Sequence, residues 1–276
     1  MVSGMTYAML FDATKCTACR GCQVACKQWN DLPGEVTKNT GSYQNPKNLS
    51  ADTWLVMEFH EVENGNGLTW GFRRKACMHC LEPACVSACP VGALTKADEG
   101  PVVYNEDRCI GCRYCMLACP FDVPTFTWDR GLMEGAVIRK CKFCVDRLGS
   151  GLEPACAKTC PPGALKFGER DELMAEAHAR IEAEPAKYVP HVYGEEEVGG
   201  TSILYLSHVP FQDLGMPSLG NEPVQKRSEQ IMEKATPTVA VGMLLGLGGL
   251  YWVVKRRNQM AAKKATTAGH RGKEGS

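Results

Sequence analysis

CTACRGCQVAC, residues 16–26, sets out Cys16, Cys19, Cys22 and Cys26 as C-x2-C-x2-C-x3-C, and the device returns three more times along the chain. CMHCLEPACVSAC, residues 77–89, spaces Cys77, Cys80, Cys85 and Cys89 as C-x2-C-x4-C-x3-C. CIGCRYCMLAC, residues 109–119, repeats the first spacing with Cys109, Cys112, Cys115 and Cys119. The last quartet is Cys141, Cys144, Cys156 and Cys160, with 11 residues between its second and third members. Every quartet ends in C-x3-C, and Pro90, Pro120 and Pro161 follow three of the final cysteines. PVGAL after Cys89 and PPGAL after Cys160 mark an internal repeat of one small unit. The 16 cysteines all lie in these quartets, and none is left over.

Such a spacing has one strong chemical reading. A 4Fe–4S cubane needs four thiolates, one per iron, and a C-x2-C-x2-C loop wraps three corners of the cube. The fourth cysteine is carried away by the chain, and in two-cluster ferredoxins it ligates the other cluster. A proline behind it suits the turn away from the metal. Disulfides fit poorly, because a disulfide scaffold is a short secreted chain and does not crowd its cysteines this way. Zinc sites favour two separated C-x2-C pairs, often with histidine, whereas each quartet here is locally complete. Buried structural thiols do not come in four phased quartets. Sixteen thiols therefore predict four 4Fe–4S clusters.

Nothing else in the chain carries substrate chemistry. There is no dinucleotide, phosphate-loop or zinc-protease motif, so no catalytic residue is expected. The six histidines, His60, His79, His178, His191, His208 and His270, are scattered. His79 lies inside the second quartet, where a ring N–H can tune a cluster; an ordinary loop histidine is the plainer reading. Several clusters without a substrate site imply a wire between two partners. A cluster-based redox sensor is the reading from a different class, but four cubanes exceed what sensing needs. Formal net charge is zero, and no basic recognition helix points to nucleic acid.

Around the cysteines the chain reads as a loop-rich α+β fold. Residues 53–62 and 68–73 are strand-like and flank the turn sequence Asn64-Gly65-Asn66-Gly67, which predicts a β-hairpin inserted between the first two quartets. Residues 7–11, 102–104, 136–139 and 202–207 are further strand candidates. Residues 169–184 predict a helix with Leu173, Ala177 and Ile181 on one face, stopped by Pro185. Residues 208–234, rich in proline and glycine, read as a linker. Residues 235–254, ATPTVAVGMLLGLGGLYWVV, carry no charge and are long enough as a helix to cross a bilayer. The tail, residues 255–276, holds seven Lys or Arg against Glu274 alone. The expected division is 1–168 four-cluster domain, 169–234 docking helix, strand and linker, 235–254 transmembrane helix and 255–276 basic tail. The positive-inside rule puts that tail in the cytoplasm and the cluster domain in the periplasm. The first residues lack the pattern of a signal peptide, which taken alone suggests folding in the cytoplasm.

With CTACRGCQVACKQWND, CMHCLEPACVSACPVGAL, CIGCRYCMLACPF, CKFCVDRLGSGLEPACAKTCPPGALKFG and VYGEEEVGGTSILYL quoted in full, the chain resembles the iron–sulfur (beta) subunits of membrane-bound respiratory formate dehydrogenases. The cysteine motifs alone indicate the wider group that serves molybdopterin oxidoreductases. The Gly199-Gly200-Thr201 region and the single C-terminal apolar helix narrow it. Relay subunits of hydrogenases, or of polysulfide or dimethyl-sulfoxide type reductases, are the alternative within the group. The resemblance implies tandem ferredoxin-like 2×(4Fe–4S) modules and a nested ligand pattern. Cluster A takes Cys16, Cys19, Cys22 and Cys160, and cluster B takes Cys26, Cys141, Cys144 and Cys156. Cluster C takes Cys77, Cys80, Cys85 and Cys119, and cluster D takes Cys89, Cys109, Cys112 and Cys115. Spacing alone also allows the first quartet to pair with the second and the third with the fourth. In nitrate-reductase relatives a third-quartet cysteine is replaced by tryptophan; this chain keeps Cys112, so four cubanes are expected. The implied partners are a molybdenum or tungsten pterin catalytic subunit that oxidises formate, a membrane cytochrome b subunit that reduces quinone, and the lipid bilayer of the inner membrane. A twin-arginine signal on a partner subunit would carry the cluster domain across.

Overall fold

The structure is a computed structural model that describes residues 6–39, 41–65, 67–127 and 137–271. It divides into two compact units, Met1–Gln225 and Lys226–Ser276. Along the first unit run β1 (Tyr7–Asp12), α1 (Gly21–Trp29), β2 (Val56–Asn64), β3 (Gly67–Lys75), α2 (Ala84–Ser87), β4 (Leu94–Lys96) and β5 (Val102–Tyr104). There follow α3 (Tyr114–Ala118), β6 (Thr125–Phe126), β7 (Ile138–Arg139), α4 (Val145–Leu148), α5 (Ala155–Lys158), β8 (Leu165–Glu169), α6 (Arg170–Ala183) and β9 (Ile203–Leu206). The fold is a mixture of α and β, with helices and strands mostly short.

One three-stranded sheet, in the order β8-β1-β9, organises the unit; β1 runs antiparallel to β8 and parallel to β9. The period-two alternation of a strand explains its place. Met9 and Phe11 face the cysteine-bearing core with Leu165, Ile203 and Tyr205. Ala8 and Leu10 face the other way, against Leu204, Leu206 and the α6 residues Leu173 and Ala177. The sheet thus separates the cysteine loops from one covering helix. Asp12, fully buried at the end of β1, holds that arrangement: it accepts from Arg180 Nη1 at 2.8 Å, Tyr188 Oη at 3.0 Å and Thr14 Oγ1 at 2.6 Å. The α6 helix ends at Ala183, two residues before Pro185, as its sequence predicts.

The internal repeat has a backbone cause. After Cys89 and after Cys160 the chain turns tightly, Gly92 N donating to Cys89 O and Gly163 N to Cys160 O, with both glycines left-handed. Strands β4 and β8 start directly beyond. Asp122 makes the same turn behind Cys119, at φ 52°. Aspartate tolerates this region better than most residues.

Strands β2 and β3 pair antiparallel from Val56↔Lys75 to Asn64↔Gly67. Residues 53–55, expected as strand, instead form a loop pinned by Glu35, which accepts from the hydroxyls of Ser50 and Thr53. The strand expected at 136–139 is seen as β7; Ala136 lies outside the described residues.

Residues 208–225 correct the linker reading. Val209, Phe211, Leu214 and Met216 are buried, and Arg73 Nη1 donates to Gly215 O at 2.6 Å. The prolines and glycines serve tight turns here (Asp213 N to Pro210 O, Gly215 N to Gln212 O), and the apolar residues between them fill the core.

The second unit is α7 (Lys226–Gln230), a five-residue π turn (Ile231–Ala235) and α8 (Thr236–Arg271). Its apolar side chains from Val239 to Val254 are exposed, and the segment Lys226–Ala261 is long and apolar enough to cross a membrane. The helix does not stop at Val254 but continues through the basic stretch. There Lys255 Nζ lies 5.8 Å from the Tyr251 ring centroid and the Arg256 guanidinium 5.3 Å from that of Trp252.

Candidate metal centre

Four short loops carry the first two cysteines of each quartet, and all four bend the same way. The residue before the second cysteine is left-handed in every one: Ala18 (φ 51°), His79 (φ 48°), Gly111 (φ 68°) and Phe143 (φ 59°). For residues with a Cβ this conformation costs about 1–2 kcal/mol, and it persists where surrounding structure enforces it. The bend turns amide groups toward sulfur. Ala18 N donates to Cys16 Sγ at 3.3 Å and Phe143 N to Cys141 Sγ at 3.4 Å; in the turn behind the second quartet Ala93 N likewise donates to Cys89 Sγ at 3.2 Å. Such N–H groups stabilise a thiolate or a thiolate bound to iron.

Short helices carry the third cysteines. Cys22 and Cys26 both lie in α1, Cys85 in α2, Cys115 in α3 and Cys156 in α5. Helix α1 packs on α5, and α2 packs on α3. This brings the first quartet beside the fourth and the second beside the third. No disulfide joins any of the 16 cysteines; Cys19 and Cys112 are exposed, and the others are buried or half-buried.

Electrostatic neighbours follow the same division. Burial pushes the Cys16 thiol up to about 11, helped by charge on Cys160 and Cys19. Burial raises Cys26 well above the usual range, helped by Cys141, Cys156 and Cys144. Cys80 is raised by burial and then by Cys77, Cys119 and Cys85. Cys115 is pushed up to about 11 by burial and by Cys109 and Cys112, with Cys89 a smaller cause. The groups also feel one another: Cys22 feels Cys156, Cys141 feels Cys77, and Cys85 feels Cys115, the last as the smallest of its causes.

These shifts test the fit of an iron–sulfur cluster. A buried thiol near 11 or 12 is protonated at neutral pH unless a cation replaces the proton. Iron does so, one proton leaving per thiolate bound. Soft thiolates in sets of four suit iron–sulfur clusters. Buried donors without partners point the same way: Arg74 Nε and Nη1 and His79 Nε2 have none among the described residues. An unpaired buried donor costs about 1–3 kcal/mol, which a cluster sulfur in reach would offset. The residues fit the group.

His79 is a buried residue, not a solvent-facing loop histidine. Its Nδ1 accepts from Val102 N at 3.0 Å, and its ring packs edge-on against Phe143 at 4.9 Å. Burial, with Lys140, Lys96 and Arg74 nearby, holds its pKa well below the usual value. The neutral ring with Nδ1 accepting carries its proton on Nε2, the nitrogen without a protein partner.

Sequence reasoning missed three cations beside the cysteine loops, Arg74 and Lys140 buried and Lys96 half-buried. Arg74 is fully buried at the end of β3. Lys140 Nζ donates to Val102 O at 2.5 Å and Cys141 O at 3.1 Å. Lys96 Nζ donates to Cys80 O at 2.8 Å, and burial lowers its pKa to about 8. Their signal is a basic residue at or just past a strand end, which is too common to read.

The VYGEEEVGGTSILYL stretch, quoted above for its resemblance, acts as a brace. Leu81 N donates to Gly200 O at 2.9 Å, Ser202 N donates to His79 O at 3.1 Å, and Cys80 bridges Thr201. Gly194 turns the stretch at φ 97°, where an added Cβ would stand 2.4 Å from Ile203 O. Gly194→Ala is therefore expected to cost about 2–3 kcal/mol. Gly220→Ala, in open space, should stay within about 0.5 kcal/mol. Thermal unfolding of the two variants side by side checks this; equal midpoints would remove the brace.

Comparison with known proteins follows from this geometry. A family model for a 4Fe-4S dicluster domain matches residues 68–170. The nitrate-inducible formate dehydrogenase iron-sulfur subunit of Escherichia coli is 40% identical over 247 residues, covering 88% of this chain and 82% of that protein. The formate dehydrogenase iron-sulfur subunit of Haemophilus influenzae is 40% identical over 205 residues, 73% of this chain and 64% of its own length. The hydrogenase-2 operon protein HybA of Shigella flexneri is 36% identical over 287 aligned residues, 91% of this chain and 84% of that protein. With that identity over most of both chains, and cysteine loops that fit iron–sulfur clusters, this chain belongs to the family of formate dehydrogenase iron–sulfur subunits.

Proposed function

We propose that this chain carries electrons within a formate dehydrogenase complex through four 4Fe–4S clusters, with the nested ligand sets A to D given above. The single observation that carries the reading is the pairing of thiols. Helix α1 against α5 and α2 against α3 speak for two ferredoxin-like modules, one from the outer quartets and one from the inner. Sequential pairing of first with second and third with fourth has no such support. The electrostatic couplings Cys22–Cys156, Cys141–Cys77 and Cys85–Cys115 are in keeping with the linear order A-B-C-D. Cys19 in set A and Cys112 in set D are the exposed cysteines, which suits a wire whose two ends meet partners.

On this reading electrons enter from a pterin-containing catalytic subunit and leave toward a membrane cytochrome b subunit that reduces quinone. The chain itself makes no bond to formate. The apolar helix anchors it in the inner membrane as a single pass, with the basic tail in the cytoplasm and the cluster unit on the periplasmic side. The hydrogenase-operon relative keeps a second reading in view, a relay serving another membrane oxidoreductase.

Iron and acid-labile sulfide on anaerobically purified complex test the count: roughly sixteen of each per chain are expected. Formate added to that complex should reduce the clusters. Far fewer irons, or zinc in their place, would end the cluster reading. Clusters that respond to hydrogen and not to formate would transfer the chain to the second reading.

A further inference from the structure

Arg74 stands apart from the two lysines beside the cysteine loops. Lys96 and Lys140 spend their donors on backbone carbonyls of Cys80, Gly100, Val102 and Cys141. Arg74 is held from behind, Tyr205 Oη donating to its carbonyl oxygen at 2.6 Å, and its side chain reaches forward to sulfur. Nη2 lies 3.6 Å from Cys156 Sγ. Among the described residues Nε and Nη1 are buried without a hydrogen-bond partner, and the groups whose negative charge bears on the guanidinium are Cys156, Tyr205, Cys141 and Cys22, none of them a carboxylate. A fully buried cation with no acidic partner is strongly unfavourable unless other negative charge surrounds it. The negative groups available are thiolates of two different sets, Cys22 in A and Cys26, Cys141 and Cys156 in B.

We propose that Arg74 is a positioning residue between clusters A and B, whose guanidinium donates its free N–H groups to their sulfur atoms and raises the reduction potential of both. The proposal rests on the ligand sets of the preceding section. One electron arriving on either cluster adds one negative charge and breaks no bond. A fixed positive charge in the low-dielectric interior stabilises that reduced state most. Arginine suits the place because its planar fork presents five donors in fixed directions and stays charged when buried. It also offsets the repulsion between two anionic clusters standing side by side, so an electron on one raises a smaller barrier to the next.

Arg74→Met and Arg74→Lys in the intact complex, read by redox titration followed by electron paramagnetic resonance, test this. In Arg74→Met, iron stays at the wild-type level and two of the four clusters become harder to reduce by tenfold or more, ~59 mV each for one electron. The other two move less than threefold. Arg74→Lys, which keeps the charge and loses the fork, shifts the same two by a smaller factor. Unchanged potentials for all four clusters in Arg74→Met, with iron retained, overturn the proposal. If Arg74→Met fails to load iron, Arg74→Lys decides alone: two lowered potentials support it, and four unchanged ones overturn it. A wild-type complex short of iron would instead remove the ligand sets, and the proposal with them.

Discussion

Cys112→Ala leaves a complex that still oxidises formate with a soluble dye but no longer passes electrons to quinone. Cys112 is the second cysteine of its loop, set between left-handed Gly111 and left-handed Arg113, and it is exposed. Its removal opens no cavity, because the side chain is not packed inside. The fold and the other quartets should survive, so the effect falls on cluster D alone. With one thiolate gone, D is lost or converted to a centre with fewer irons. If the linear order holds, D is a terminal step with no detour around it. Quinone reduction should then fall by more than the ~10–100-fold that loss of an outer hydrogen-bond partner brings to a metal site. Formate binding and oxidation belong to the catalytic subunit and stay. Iron per chain, the cluster spectrum and the two assays together read the result. Unchanged iron with unchanged quinone reduction would refute the placing of Cys112 in a cluster. Lost iron with unchanged quinone reduction would keep the cluster and reject D as an obligatory step.

The chemistry was legible in the sequence because thiolate ligation of a cubane demands local spacing. Sixteen positions in four phased runs announce themselves without a fold. The sheet was half legible. Met9 and Phe11 alternate with Ala8 and Leu10, but both faces of β1 are covered, so the run reads as strand without saying what covers it. Strand β8, LKFGE, escaped because its edge position leaves Lys166 exposed and its period is spoiled by Gly168. The segment 208–225 was misread for a different reason. Proline and glycine there make turns of a packed loop, and Val209, Phe211, Leu214 and Met216 between them were the better signal. The nested approach of the quartets follows from α1 meeting α5 and α2 meeting α3. Long-range packing of that kind leaves no mark in spacing, and the placing of Arg74, Lys96 and Lys140 follows from it. Arg74 looks like any basic residue at a strand end until the cysteine loops close around it.

Truncation after Gln225 should turn a chain that needs detergent into one that high salt releases. All 16 cysteines and the whole sheet lie in the first unit, Met1–Gln225, and the apolar helix lies in the second. The truncated chain therefore keeps its core and its iron. What it loses is the 20-residue uncharged run with its exposed Leu244, Leu245, Leu247 and Leu250, about 30 Å of helix, the thickness of the hydrocarbon layer. Salt screens attraction between exposed charged surfaces; an inserted helix is indifferent to salt. Wild-type membranes washed in high salt should keep the chain, and membranes bearing the truncated form should shed most of it with clusters intact. Retention through the wash would assign anchoring to a partner subunit and make the helix a packing element. The same preparation reads sidedness. On the proposed orientation, protease added to spheroplasts of the wild type should digest the cluster unit and spare a tag behind Lys255, Arg256 and Arg257, the end that the positive-inside rule assigns to the cytoplasm. A protected cluster unit would reverse the orientation, and entry of electrons from a periplasmic catalytic subunit would have to be abandoned with it.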